Sequence, residues 1–287
     1  MIRIISILVG LFFSVALAWS FGNGAYLAIT EPAQPTAEHE FHLHPKDVKF
    51  ASDGGFGKFD RAQLQRGFQV YKEVCSACHS LNHVAFRDLT ALGYSDAEVK
   101  AIAKGFQVPG TDPTTGEAAM RPGMPTDYFP KPFANDIAAR AANNNAVPPD
   151  LSLITKARHD GGPYLYSLLT GYRPQEGFKN EEGEEILKKF PDAKTPPGLH
   201  FNPYFPNLNL AMPPPLTSEG QVQYGDGTRA SVEQMSKDVT AFLIWTGEPK
   251  MEKRKQTGWP VLGFLLFATI LGYLSYRNIW AEKKKKV

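Results

Sequence analysis

The sequence predicts a mostly α-helical body with long Pro- and Gly-rich loops, tethered to a membrane by one C-terminal transmembrane helix. Three observations predict it. Apolar residues recur at spacings of three and four in several stretches, and almost no stretch alternates with period two. Many of the 25 glycines and 23 prolines separate those stretches. An uncharged apolar run near the end is bracketed by basic clusters. The formal net charge of the 287 residues is only +2, but the sum hides an asymmetry. Positions 31 to 249 hold 27 acidic and 21 basic residues, a net of −6, while Lys250 to Val287 carry +7. A basic end on an acidic body argues against nucleic-acid binding, which wants a basic stripe on the folded part. It fits a membrane-facing tail.

In chain order, the first element is the apolar stretch Ile4 to Phe21, behind the single charge of Arg3. Its core, Ile4 to Val15, has the length of an export-signal hydrophobic region, and Ala16-Leu17-Ala18 supplies the small residues a signal peptidase accepts. Residues 1–25 are therefore expected to be a signal peptide, cut between about 18 and 25; an uncleaved anchor helix is the alternative. The exported body is then 26–258. Within it a helix is expected from about Asp60 to Ala77, N-capped by Asp60, with Leu64, Phe68, Tyr71, Val74 and Cys75 on one face. Asp96 to Phe106 and Ala134 to Asn143 are shorter helical candidates. Val108 to Pro132 reads as an ordered loop without an element of its own. Gly161 to Gly171 holds an apolar turn or two, and Pro174 to Pro215 is again loop. A last helix starts at Ser231 with a capping box to Gln234, buries Val232, Met235, Val239, Phe242, Leu243 and Thr246, and stops at Gly247. Residues 259–276 are eighteen uncharged positions covering about 27 Å as helix, near the hydrocarbon thickness of a bilayer. Trp259 at one end and Tyr273, Tyr276 and Trp280 at the other suit the two interfaces. Pro260 is expected in the first helical turn, where it costs no hydrogen bond. Residues 277–287 form a basic cytoplasmic tail if the body is exported.

Both cysteines fall in Cys75-Ser76-Ala77-Cys78-His79. C-x-x-C-H is the attachment signature of c-type haem. Residues three apart at a helix end share a face, so both sulfurs can reach the two vinyl groups and the next residue can aim its imidazole at the iron. A redox dithiol gains nothing from the histidine. Zinc on Cys75, Cys78, His79 and His83 would strain the adjacent Cys78 and His79 on one tetrahedral ion. For a sixth iron ligand the candidates are Met212, held by Pro213, Pro214 and Pro215, and Met124, followed by Pro125. The residues favour Met212 without deciding it. Thioether ligation raises the reduction potential and closes the iron to substrates, which means electron transfer and no catalytic site of the chain's own. The His39, His42, His44 run and the acidic run Glu181, Glu182, Glu184, Glu185 read as solvated loops, the acidic run having a docking patch for a basic protein as its alternative.

Several blocks in order carry a family resemblance: Gly67-Phe-Gln-Val-Tyr71 before the C-x-x-C-H, Met120-Arg-Pro-Gly123, Asp127-Tyr-Phe-Pro130, Ala138 to Asn144, Pro148-Pro-Asp-Leu-Ser152, Ser167 to Tyr172, Asn202-Pro-Tyr-Phe-Pro206 and Met212-Pro-Pro214. With them the chain resembles the cytochrome c1 family, the membrane-anchored haem subunit of the cytochrome bc1 complex. An extra cysteine pair of some bacterial relatives is absent here. The resemblance implies a class I cytochrome c-like haem domain and one covalent haem c on Cys75 and Cys78. It implies His79 and Met212 as the axial metal ligands, Arg158 as partner of a haem propionate, and Asn143, Pro149 and Tyr164 as lining of the haem crevice. It further implies one-electron transfer from a Rieske iron–sulfur subunit to cytochrome c within ubiquinol–cytochrome c reductase, beside cytochrome b in a dimeric complex. The place implied is a bacterial inner membrane with the haem domain periplasmic.

Overall fold

A computed structural model describes residues 2–31 and 34–284. The chain is mostly helical, with two short antiparallel β-pairs. In order it forms α1 (Ile2–Thr30), α2 (Ala37–Phe41), α3 (Arg61–Glu73), α4 (Asp96–Lys104), β1 (Gln107–Thr111), β2 (Ala118–Pro122), α5 (Asp136–Ala142) and α6 (Ile154–Ala157). It continues through α7 (Gly161–Leu169), α8 (Ile186–Lys189), β3 (His200–Phe201), β4 (Asn209–Leu210), α9 (Val232–Gly247) and α10 (Met251–Lys284). Contacts divide it into two units, residues 1–41 with 176–194, and 42–175 with 195–287.

In the first unit α1 is one long apolar helix with no buried residue. The rest is a small cluster in which Phe41 meets Phe178 and Phe190 at ring-centroid distances of 6.3 and 6.1 Å. Lys189 pairs with both Glu184 (2.6 Å) and Glu40 (2.7 Å).

The second unit is built on α3 packed against α9. Asp60 caps α3 by accepting from the Gln63 amide at 3.2 Å, and Ser231 caps α9 by accepting from the Gln234 amide at 3.1 Å. The expected capping box is only half made, because the Gln234 amide group turns to Asp238 at 2.8 Å. Leu64, Phe68 and Tyr71 bury one face of α3, and Met235, Val239 and Phe242 one face of α9. Phe68 and Tyr71 each meet Phe242 at 5.7 Å between ring centroids, and Phe129 and Phe86 extend the aromatic core. Gly67 lets the two helices meet: a Cβ there would lie 2.0 Å from the Asp238 carbonyl oxygen. Asp238 itself is fully buried and accepts from Gln63 (3.0 Å), Arg66 (2.8 Å) and Gln234, so its charge is paired and hydrogen-bonded as burial demands.

Three expectations need correction here. The stretch Pro174 to Pro215 is not loop throughout: it holds α8 and the β3–β4 pair, His200↔Leu210 and Phe201↔Asn209. The stretch Val108 to Pro132 is not element-free: β1 and β2 pair from Gln107↔Pro122 to Thr111↔Ala118. Pro109, Gly110 and Pro122 hid the strands, since a two-stranded ribbon has free edges where proline loses nothing. Pro260 is not in a first turn either. The last helix begins at Met251, so the proline lies inside it and removes one internal hydrogen bond. The apolar span is thus continuous with a polar collar, 251–258, that belongs to the head.

Candidate haem site

The site is assembled where α3 ends. Its last turn passes through the Val74 cap into a single 3₁₀ turn, Cys75–Ala77, with the Cys78 and His79 amides donating to the Cys75 carbonyl at 3.1 and 2.9 Å. That turn brings the two thiols and the imidazole to the rim of one cavity of about 440 Å³, within the size range of cofactor pockets. Leu165, Leu168 and Leu169 of α7, Val239 and Leu243 of α9, and Ile154 of α6 make its apolar wall. All eight residues singled out from the sequence line it: Cys75, Cys78, His79, Asn143, Pro149, Arg158, Tyr164 and Met212. Met124 does not. It sits 49% exposed in the loop after β2, its amide bonded to Asp127 at 2.8 Å.

His79 is set for ligation. Its Nδ1–H donates to the Pro149 carbonyl at 2.8 Å, which fixes the tautomer and leaves Nε2 as the free lone pair. Burial pushes its pKa down, against the Pro149 bond and Asp150, so the ring is neutral, as a metal ligand must be. Burial, with Cys78 beside it, pushes the Cys75 thiol up to about 12. A neutral thiol at an apolar wall makes a poor zinc thiolate, and His83 is exposed and does not line the cavity.

Two residues that the sequence reading passed over hold the ligand-bearing loops. Asp150 accepts from the Ser80 hydroxyl (2.8 Å) and the Asn82 (2.7 Å) and Ser152 (3.0 Å) amides, tying the Pro149 loop to the segment after His79. Burial opposes its ionisation, but those hydrogen bonds win and hold the carboxyl below its usual range. The local signal was Asp150 two residues before Ser152, an Asx-turn pattern. Tyr172 donates its hydroxyl to the Met212 carbonyl at 3.1 Å, and its ring packs with Tyr164, Leu168 and Leu210 around the methionine. No local pattern marks that pair, 40 positions apart. At the opposite polarity, Arg158 is exposed at the cavity mouth beside the Tyr164 hydroxyl; burial raises the Tyr164 pKa and the guanidinium opposes the rise. Asn143 caps α5, its side chain donating to the Ala139 carbonyl at 2.7 Å.

The residues fit a covalently held haem: an apolar slot, two thiols three positions apart, a neutral imidazole with one nitrogen already engaged, a thioether, and a cation at the mouth for carboxylates. In a helical domain continued by a membrane-length helix, that set defines the class of membrane-anchored c-type cytochromes. Residues 50–283 match the Cytochrome C1 family, and the chain belongs to that family. Its cofactor is accordingly covalently bound haem c. It is 43% identical to the cytochrome c1 of Rhodospirillum rubrum over 91% of this chain and 95% of that one. It is likewise 43% identical to the mitochondrial cytochrome c1 heme protein of Saccharomyces cerevisiae, over 90% of this chain and 76% of that one. A third relative, cytochrome b/c1 of Bradyrhizobium diazoefficiens, is 43% identical over 94% of this chain, which spans only 40% of that longer protein.

Proposed function

We propose that this chain is the electron-transfer subunit of a respiratory cytochrome bc1 complex, taking one electron at a time from the Rieske iron–sulfur subunit and handing it to cytochrome c. The single observation that carries this is the convergence of Cys75, Cys78, His79 and Met212 on one apolar cavity in a chain of the cytochrome c1 family. In this reading Cys75 and Cys78 would hold the haem covalently, and His79 and Met212 would ligate its iron. The haem supplies a one-electron iron couple. The protein's residues do the rest. Pro149 orients the imidazole, and Tyr172 and the three prolines hold the thioether in place at little entropic cost. The apolar wall lowers the local dielectric, and Arg158, exposed at the cavity mouth, would pair with a propionate there.

The same reading gives residues 1–25 as a signal peptide, 26–258 as the periplasmic haem domain, 259–276 as the membrane span and 277–287 as the cytoplasmic tail. It places the complex in a bacterial inner membrane, as a dimer with cytochrome b. Mild solubilisation and affinity purification of the full chain test it. A b-type cytochrome and an iron–sulfur protein are expected to co-purify, with quinol-driven reduction of added cytochrome c. A chain that purifies alone from its native membrane would contradict the assignment to a complex.

A further inference from the structure

The loop between residues 50 and 59 is tied at four points to the start of α10, two on the collar and two on Trp259. The Phe59 amide donates to Glu252 Oε1 at 2.7 Å, Lys255 Nζ to the Ser52 carbonyl at 2.7 Å, and Trp259 Nε1 to the Gly55 carbonyl at 3.3 Å. At the tip, Phe56 lies flat on the Trp259 indole, centroids 5.0 Å apart and planes 10° apart. Gly55 permits this, because a Cβ there would come within 2.9 Å of the indole. The stacked pair is nevertheless open: Phe56 is 80% exposed and Trp259 49%.

The depth of the pair follows from its geometry. Trp259 opens the uncharged run 259–276, so its indole belongs at the membrane–water boundary. A ring stacked 5.0 Å away lies at the same level. Exposed Lys58 on the loop, and exposed Lys253 about 9 Å further along the helix on the side away from the span, add cations where headgroups would lie. An apolar ring held out by a glycine-flanked loop, beside the end of a span and next to lysines, matches what a phospholipid interface takes up. We propose that residues 51–58 form a second membrane contact, with Phe56 entering the interfacial layer of the bilayer beside Trp259 and so limiting the tilt of the haem head. The bilayer is the favoured occupant because the exposed ring is continuous with the membrane span itself.

Haem attachment consumes both native cysteines, so Phe56→Cys or Lys58→Cys adds a single site for a nitroxide label. The haem-loaded full chain is reconstituted alone in nanodiscs of phosphatidylcholine and phosphatidylglycerol. Power-saturation EPR then compares collisions with oxygen and with a water-soluble nickel chelate. A label at 56 is expected to give an oxygen-to-nickel ratio several-fold above that of a label placed by Gly225→Cys, in the exposed loop before α9. A label at 58, which keeps the native Phe56 ring, should fall between them. Aqueous ratios at both 56 and 58 would overturn the proposal. So would shielding of these positions only in the assembled complex, which would make the occupant a protein.

Discussion

At the scale of single residues, the cavity depends on side chains that do not line it. Asp150 is the clearest case. It receives three hydrogen bonds within 3.0 Å and through them fixes the loop whose Pro149 carbonyl orients His79. Folding lowers its pKa, so its stabilising contribution is fully present above the ordinary carboxylate value and disappears as pH falls through the lowered native one. Replacing Asp150 by Asn should cost about 1–3 kcal/mol at neutral pH. It should also flatten the acid limb of the stability curve, as measured by denaturant unfolding across pH. An unchanged acid limb would remove Asp150 from this role. The C-x-x-C-H motif was legible because its chemistry is local. The Asp150 and Tyr172 contacts were not, since each joins segments brought together only by the fold.

At the scale of elements, α3 and α9 meet so closely that there is no room for a methyl group at Gly67. The helix that leads into the Cys75 turn is thereby fixed against the helix that supplies Val239 and Leu243 to the cavity wall. Gly67→Ala forces a Cβ into the Asp238 carbonyl, and overpacking against backbone should destabilise by about 3 kcal/mol or more. The expected outcome is a sharp fall in haem-loaded protein, read from the ratio of c-type haem absorbance to total chain. Normal loading would show that α9 can shift. Both helices and their N-caps were readable from apolar spacing. But α9 is buried over more of its circumference than that spacing shows, since Ser236, Asp238, Thr240 and Trp245 are buried too. The β1–β2 ribbon was not readable, because its alternation is interrupted by Pro109 and Gly110 and only Val108 is buried along β1. The polar collar of α10 was missed for a related reason: its sequence is charged, and only the head's 50–59 loop shows that it belongs to the helix.

At the scale of the whole molecule, charge is distributed by segment. The body from 31 to 249 sums to −6, before any haem propionate is added. The acidic run is a weaker docking patch than its composition suggests, since Glu184 pairs with Lys189 at 2.6 Å and Glu185 with Lys188 at 2.7 Å. On the proposed function, steering of a basic cytochrome c would fall to the acidic excess of the body as a whole. Turnover with cytochrome c should decline steeply as ionic strength rises past the point where the screening length drops below about 10 Å; a rate flat across salt would remove electrostatic docking. The central claim, that His79 and Met212 close the iron and set it for electron transfer, has its most direct test in Met212→Leu. In the purified complex, haem should remain covalently attached through Cys75 and Cys78. Its midpoint potential, measured by redox titration, should fall by at least about 120 mV, two tenfold steps of a one-electron equilibrium. An unchanged potential with haem fully attached would contradict it.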